Sequence, residues 1–157
     1  MRVVVQRVRQ ARVTVSDNEV GRIGPGLLVY VGIEKGDGEA EVDFIAEKVS
    51  RLRVFANPSG RMDLSVMDIN GEILSVSQFT LAARIRKGRR PDFTLAADPL
   101  EAERLYMRFN EQLRSAGICV ATGVFKAFMQ VESMNDGPVT LVVERSPVIT
   151  GMERLQE

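Results

Sequence analysis

The segment Ser77-Gln78-Phe79-Thr80 places two hydroxyls and a carboxamide around an aromatic ring, directly after an apolar run. These groups could exchange hydrogen bonds with a substrate, and Thr80 could act as a nucleophile or orient a water molecule. A hydroxyl is a weak nucleophile without a neighbouring base. Ser and Thr side chains at strand ends more often bond to the local backbone. The residue types therefore leave a catalytic site and an ordinary strand end both open.

A second segment, Asn135-Asp136-Gly137-Pro138-Val139-Thr140, combines turn-forming residues with glycine and proline. An X-Pro bond is cis in only about 5–6% of cases in folded proteins, so the residues alone predict an ordinary trans turn. The alternative is a rigid unit that presents backbone carbonyls to a ligand. Glycine would permit the close approach, and proline would restrict the direction of the chain.

A basic run follows the first segment and contains Arg84, Arg86, Lys87, Arg89 and Arg90. The formal net charge of the whole chain is zero, so any attraction to nucleic acid must come from a local patch such as this one. The run could bind phosphates, and it could equally be a solvated loop.

The composition excludes several classes of site. The chain has no histidine and a single cysteine, Cys119. A Ser-His-Asp or Cys-His apparatus, an imidazole-dependent zinc site and an intramolecular disulfide are therefore impossible. We expect no metal and no cofactor, and we predict that Cys119 is an inert buried thiol. No stretch approaches the roughly 20 apolar residues that span a bilayer, and no signal peptide is visible, so we expect a soluble cytoplasmic protein.

Hydrophobic periodicity predicts the elements that position these segments. Strands are predicted over 2–15, 20–23, 27–33, 73–77, 118–122, 128–134 and 139–145, the first three as an antiparallel meander. One helix is predicted over 39–52, and a second begins after Asp98, with Pro99 in its first turn, and ends at Gly117. The length suits one core, so we predict a single domain over 1–145 and a loose tail over 146–157.

In these segments the chain resembles the D-aminoacyl-tRNA deacylases (D-tyrosyl-tRNA(Tyr) deacylases) of the bacterial and eukaryotic type. The resemblance runs from Met1 to about Arg145. It rests on Gln6-Arg7-Val8, Gly24-Pro25-Gly26-Leu27-Leu28, Glu34-Lys35-Gly36-Asp37, Ser77-Gln78-Phe79-Thr80-Leu81, Arg86-Lys87-Gly88 and Asn135-Asp136-Gly137-Pro138-Val139-Thr140, in that order. It implies an α/β (α+β) fold, compact, β-rich and barrel-like, with mostly antiparallel strands and two main helices, in a homodimer.

The resemblance also implies an activity. Such enzymes cleave the ester that joins a D-amino acid to the terminal adenosine of tRNA, and they also remove glycine from mischarged tRNA. They need no metal or other cofactor, and no protein partner beyond the second subunit is implied. An aminoacyl ester is already activated, so the absence of histidine is compatible with this chemistry.

The resemblance assigns roles to particular residues. Ser77, Gln78, Phe79 and Thr80 would line the catalytic pocket, where backbone N–H groups near Phe79 and Thr80 would stabilise the oxyanion. A cis Gly137-Pro138 unit would reach into the partner subunit's pocket and exclude L side chains with its carbonyls. The ribose hydroxyl of the tRNA would assist the attack, with Thr80 as a covalent nucleophile ranked second. Further substrate contacts would come from Met129, Arg7, Arg86 and Lys87.

The chain departs from the family pattern in two places. Lys126, Ala127 and Phe128 precede Met129, where the family usually has glycine, alanine and aspartate, and Ala83-Arg84-Ile85 replaces a more polar sequence. The alternative hypothesis is accordingly a non-catalytic RNA-binding or ligand-binding dimer that retains the fold. A metal-dependent hydrolase is a poor third reading, because the ligands it would need are lacking.

Overall fold

The computed structural model describes residues 1–85 and 88–147. Its strands and helices follow the chain as β1 Arg2–Val15, β2 Asn18–Ile23, β3 Gly26–Gly32, α1 Glu39–Arg51, β4 Phe55–Ala56, β5 Met62–Leu64, β6 Glu72–Ser77, α2 Pro99–Ser115, β7 Cys119–Thr122 and β8 Gln130–Glu144, with a short 3-10 helix at Phe79–Ala82. Both predicted helices are confirmed. The predicted tail over 146–157 lies outside the described residues from 148 onward.

The main sheet has the strand order β2-β1-β3-β6-β7, and β8 pairs with β1. The β1–β2, β1–β3 and β1–β8 pairs are antiparallel, whereas β3–β6 and β6–β7 are parallel. The predicted meander is wrong, although its three strands exist. Because β1 is long, β3 pairs with its first half and β2 with its second half, while β8 runs along its opposite edge.

Both faces of β3 are buried, as its continuous apolar run predicted. Leu27, Val29 and Val31 point into a core that α1 and α2 cover, whereas Leu28 belongs to a second cluster on the opposite face. That second cluster is enclosed because the sheet curls until β2 approaches β7. A Cβ atom at Gly21 would lie 2.8 Å from the Thr122 carbonyl oxygen, so only glycine permits this near closure of the barrel.

Helix α2 is defined at both ends by its sequence. The Asp98 carboxylate accepts the Leu100 N–H at 3.0 Å, Pro99 occupies the first turn, and Gly117 adopts a φ of +87° just beyond the last turn. The apolar stripe of α2, including Leu105, Phe109 and Leu113, is fully buried against the sheet. The helix therefore fixes the segment on either side of it, at 93–98 and at 118–129.

Two further predictions need correction. Cys119 is exposed rather than buried, because it is the first residue of the terminal strand β7. The two strands predicted over 128–134 and 139–145 form the single strand β8, which bulges where its register with β1 shifts.

Tyr106 connects α2 to β6, and we predict a specific pH effect there. Its buried hydroxyl donates to the Ser75 carbonyl oxygen at 2.8 Å, and burial raises the pKa of Tyr106. The folded chain therefore resists deprotonation of Tyr106. The contribution of the Tyr106 hydroxyl to stability is complete below pH about 10 and declines above it. A Tyr106→Phe variant should lose about 1 kcal/mol at pH 8. It should also lose less stability than the wild type between pH 8 and pH 11 in urea unfolding. Parallel pH profiles would contradict this assignment.

Candidate active site

The end of β6 places polar groups at the mouth of a pocket. After Ser77 the Gln78 N–H donates to the Val31 carbonyl oxygen at 2.8 Å, and the chain then turns into the 3-10 helix. The Leu81 N–H donates back to the Gln78 carbonyl oxygen at 3.2 Å. The Phe79 and Thr80 N–H groups precede this bond, so the helix itself offers them no acceptor. Within the described residues these two donors stay available to a ligand.

The pocket beside these groups has a volume of about 750 Å³, a size typical of small-molecule sites. Val31 and Val76 supply apolar lining, and Ser77, Gln78 and Phe79 lie along one side. Most of the remaining lining comes from residues 93–102, around the start of α2, and from residues 125–131, before and at the start of β8, including Phe93, Pro99, Phe125, Lys126, Phe128 and Met129. The structure thus brings Met129 to the consecutive residues Ser77, Gln78 and Phe79, from which it is far apart in the sequence.

Thr80 differs from its three neighbours. Its side chain is exposed, it is not among the lining residues, and its hydroxyl accepts a hydrogen bond from the Gln78 carboxamide. No base is present beside it in the described part of the chain, since that hydroxyl contacts an amide rather than an ionisable group. The geometry therefore favours a backbone role for Thr80 over a nucleophilic one.

Two aromatic rings meet at the pocket wall. Phe79 is 58% exposed, and its ring packs edge-to-face on Phe93, with centroids 5.1 Å apart. Phe93 follows the basic run in the sequence, and just before it Arg84 and Asp92 exchange reciprocal backbone hydrogen bonds. The sequence interpretation did not place Phe93 or Phe125 in the site. Of the predicted basic residues, Arg89 and Arg90 are exposed, while Arg86 and Lys87 lie outside the described residues.

The Gly137-Pro138 peptide bond is cis, and both residues are exposed. They protrude where the pairing of β8 with β1 shifts between Asn135 and Thr140. The Asn135 carboxamide accepts the Val139 N–H at 3.0 Å and donates to the Thr140 hydroxyl at 3.1 Å. These bonds span the two residues, so side-chain contacts on both sides hold the protrusion in one conformation.

Arg7 braces the same protrusion from beneath. Its side chain is only 13% exposed, and it donates to the Asp136 carbonyl oxygen at 2.9 Å and also to the Val54 carbonyl oxygen. A Cβ atom at Gly137 would lie 2.8 Å from Arg7 Nη2. Within one chain Arg7, Gly137 and Pro138 do not line the pocket. The second predicted motif is therefore preorganised, but it lies apart from the first.

Strand β8 also carries an exposed edge. Among the described strands only β1 pairs with it, and Met134, Leu141 and Val142 are exposed apolar residues along it. An unpaired strand edge with apolar side chains is a common place for another chain to bind.

The pocket offers little acid–base chemistry. Its ionisable lining residues are Lys35, Lys126 and Asp98, and the Asp98 carboxylate already caps α2. Over 1–85 and 88–147, no three His, Cys, Asp or Glu residues cluster in a way that could hold a metal ion. The same residues include no helix that is long and apolar enough to cross a membrane. What the site can supply is hydrogen-bond donors, which suits cleavage of an activated bond.

Comparison with known proteins gives consistent relatives. A family model described as D-Tyr-tRNA(Tyr) deacylase matches residues 4–144. The D-aminoacyl-tRNA deacylase of Heliobacterium modesticaldum is 56% identical over 144 residues, which are 92% of this chain and 96% of the relative. The protein of that name from Brevibacillus brevis is also 56% identical over 144 residues, with 92% and 99% covered.

Solved structures share the fold. One, described as a c-Myc DNA unwinding element binding protein, is 44% identical with a TM-score of 0.88, covering 94% of this chain and 100% of its own. Another, described as a probable eukaryotic D-amino acid tRNA deacylase, is 20% identical with a TM-score of 0.78, covering 90% and 97%. The second likeness concerns the fold alone. Both support the predicted β-rich, barrel-like architecture with two helices.

Proposed function

The chain belongs to the D-Tyr-tRNA(Tyr) deacylase family and is a D-aminoacyl-tRNA deacylase, and on this premise we propose a role for each of its two segments. The pocket beside Ser77 binds the terminal adenosine of tRNA and its ester. Gly137 and Pro138 of a second copy enter that pocket and select the D configuration. The observation that carries this proposal is the pocket at the end of β6, with two unused backbone donors beside it.

The reaction is hydrolysis of an ester. Water attacks the carbonyl carbon, the bond to the ribose oxygen breaks, and that oxygen takes up a proton as the free amino acid leaves. Negative charge develops on the carbonyl oxygen, and the Phe79 and Thr80 N–H groups would stabilise it; such a donor contributes about 10²- to 10³-fold to a rate. The neighbouring ribose hydroxyl would assist the attack, which removes the need for a side-chain base.

Selection of the D configuration would rest on steric exclusion. The carbonyls of Gly137 and Pro138 would occupy the space that an L side chain needs, while a D side chain would point away. Asn135 and Arg7 hold this segment in place through the hydrogen bonds described above, so it would resist displacement. Glycine has no side chain to exclude, and glycyl-tRNA would therefore be cleaved as well.

The second copy is part of this proposal. Gly137 and Pro138 are exposed and do not line their own chain's pocket. The unpaired edge of β8 that carries them also exposes Met134, Leu141 and Val142, which is the composition expected of a covered surface. A homodimer would bring this edge to the partner's pocket. The substrate implies a cytoplasmic site of action.

The wild-type chain tests this function directly. We expect release of D-tyrosine from D-tyrosyl-tRNA, release of glycine from glycyl-tRNA, and no release from L-tyrosyl-tRNA, measured as loss of acid-precipitable aminoacyl-tRNA. A chelator should leave the rates unchanged. The name of the 44% identical structure concerns DNA binding, so the alternative of a non-catalytic RNA-binding or ligand-binding dimer is tested alongside. Binding of tRNA without any release would favour that alternative.

A Thr80→Ala variant separates the two mechanisms. Removal of the hydroxyl keeps the Thr80 N–H, so we expect turnover of D-tyrosyl-tRNA within about fivefold of the wild type if only the backbone contributes. A covalent mechanism requires the hydroxyl and would lose several orders of magnitude. Single-turnover rates under identical conditions make the comparison, and abolished turnover in a folded variant would restore the covalent mechanism.

A further inference from the structure

Lys126 adopts a backbone conformation that its side chain makes unfavourable. The Ala127 N–H donates to the Val124 carbonyl oxygen at 3.2 Å, which closes a turn, and Lys126 lies at the third position with a φ of +62°. Glycine or asparagine is favoured there, and other residues cost about 1 kcal/mol or more. Such outliers are concentrated at functional sites. A lysine in this position therefore calls for a functional reason.

Phe128 is unfavourable because of the exposure of its side chain rather than its backbone conformation. Its ring is 89% exposed, the highest exposure among the large apolar side chains of the described residues. It lines the same pocket as Lys126, and Phe79 and Phe93 lie along another part of that lining. An exposed aromatic ring next to a cation is the combination that proteins use to bind single-stranded nucleic acid, where bases stack and phosphates pair with the cation.

The charges around the pocket suit the same ligand. Over 1–85 and 88–147, no carboxylate is recorded within ion-pair distance of Lys126, and Lys35 is a second cation in the lining. Arg84, Arg89 and Arg90 lie in the segment that leads to Phe93. Asp98 is the one acidic lining residue in the described part of the chain, and its carboxylate caps α2. The described lining thus carries two cations and one carboxylate, whereas the rest of it is mostly apolar.

From these observations we propose that Lys126 and Phe128, here called the pocket rim, form a second nucleotide subsite. The subsite binds the nucleotide on the 5′ side of the terminal adenosine: the Lys126 ammonium pairs with its phosphate, and the Phe128 ring stacks on its base. This inference rests on the proposed function, because it assumes that the adjoining pocket holds the terminal nucleoside. It assigns binding of the full substrate to residues that do not contact the ester.

Two substrates distinguish binding at the pocket rim from binding and chemistry at the reaction centre. D-Tyrosyl-tRNA carries the preceding nucleotide, whereas D-tyrosyl-adenosine carries only the terminal nucleoside and the ester. For Lys126→Gly and for Phe128→Ala we expect KM for D-tyrosyl-tRNA to rise about 10-fold with kcat unchanged. For D-tyrosyl-adenosine, which lacks the preceding nucleotide, the rise in KM should be much smaller. Lys126→Gly should also reduce the dependence of log KM on log salt by about 0.7.

The matched controls carry the same kind of change away from the pocket. Asn70→Gly removes a side chain at another left-handed position, with a φ of +50°, and Met107→Ala removes an exposed apolar side chain on α2. Both should leave the kinetics with both substrates unchanged. Because glycine suits its backbone conformation, Lys126→Gly should unfold at the same temperature as the wild type or higher, so its KM effect cannot be attributed to a damaged fold.

The other outcomes are distinguishable. If the wild type cleaves both esters and the rim variants match it on both, the second subsite is refuted and the proposed function stands. Equal increases in KM for both substrates would place the rim residues at the terminal nucleoside, which also refutes the subsite. If Phe128→Ala dissociates the protein in sedimentation, the ring belongs to an interface between copies. A wild type that cleaves neither ester overturns the proposed function and this inference together.

Discussion

Substitution of Gly137 by alanine should lower kcat/KM for D-tyrosyl-tRNA about 100-fold. The added Cβ atom would lie 2.8 Å from Arg7 Nη2 and 2.9 Å from Val139 Cγ2, at a φ of +135° that L residues rarely adopt. Arg7 is itself held by two carbonyl oxygens, so the protruding segment has to move instead. A displacement of about 1 Å in a positioning element can cost about 100-fold in rate.

The ratio of D to L release provides the second measurement for this variant. If Gly137 and Pro138 exclude L side chains, their displacement should lower the ratio of D to L release as well as slow the reaction. Gly60→Ala is the matched control, because Gly60 also has a positive φ, of +80°, but has no atom within 4 Å of the added Cβ. That variant should lose some stability and no selectivity. A Gly137→Ala chain with normal kinetics would refute the role of the segment.

Mixing two impaired variants tests whether the segment acts on a partner. Gly137→Ala retains its pocket. Phe79→Ala, which we expect to be strongly impaired because it removes a ring that lines the pocket, retains its protruding segment. If the segment enters the second copy's pocket, random mixed dimers regain one intact site, which gives about a quarter of the wild-type rate per chain. If the segment served its own chain, the mixture would be no more active than the two variants measured separately.

Arg7→Met should be the second severe variant. Methionine retains much of the apolar stem but removes the donors to the Asp136 and Val54 carbonyl oxygens. Both hydrogen bonds are part-buried, and buried acceptors left without donors cost about 1–3 kcal/mol. The protruding segment also loses its support. We expect a fall of about 2 kcal/mol in the free energy of unfolding and of the order of 10- to 100-fold in kcat/KM for D-tyrosyl-tRNA.

Arg9 supplies the control for this variant. It is 71% exposed and pairs with the side chain of Asp136 at 3.1 Å, on the solvent side of the same segment. Exposed ion pairs contribute about 0–1 kcal/mol, so Arg9→Met should change stability and activity little. Equal effects of the two substitutions would show that charge near Asp136 matters more than the part-buried hydrogen bonds of Arg7.

Local patterns were sufficient for the elements whose signals are contiguous. The spacing of Val42, Ile45 and Val49 predicts α1, because apolar residues on one helical face must be buried together. Asp98 and Pro99 predict the start of α2 since a cap and its hydrogen bond are made within one turn. The apolar run through β3 likewise predicts burial on both faces. Each of these inferences uses interactions within a few residues.

Local patterns did not predict the pairing between distant segments. The meander was wrong because a 14-residue β1 can pair with β2, β3 and β8 at once, and no local signal states which edge each strand uses. Cys119 was placed inside because an apolar run does not reveal that its strand is the last in the sheet. Strand order depends on closing the whole barrel, which is a global property of the chain.

In the candidate site too, the sequence shows the contiguous motifs, whereas only the tertiary structure shows the contacts between them and distant residues. Ser77 to Thr80 and Asn135 to Thr140 stand out in the sequence because their residue types are unusual at the ends of apolar runs. The sequence does not show that Phe93 and Phe125 complete the first pocket, nor that Arg7 braces the second segment. Those contacts join residues between 14 and 129 positions apart, so they exist only once the sheet has curled and α2 has packed against it.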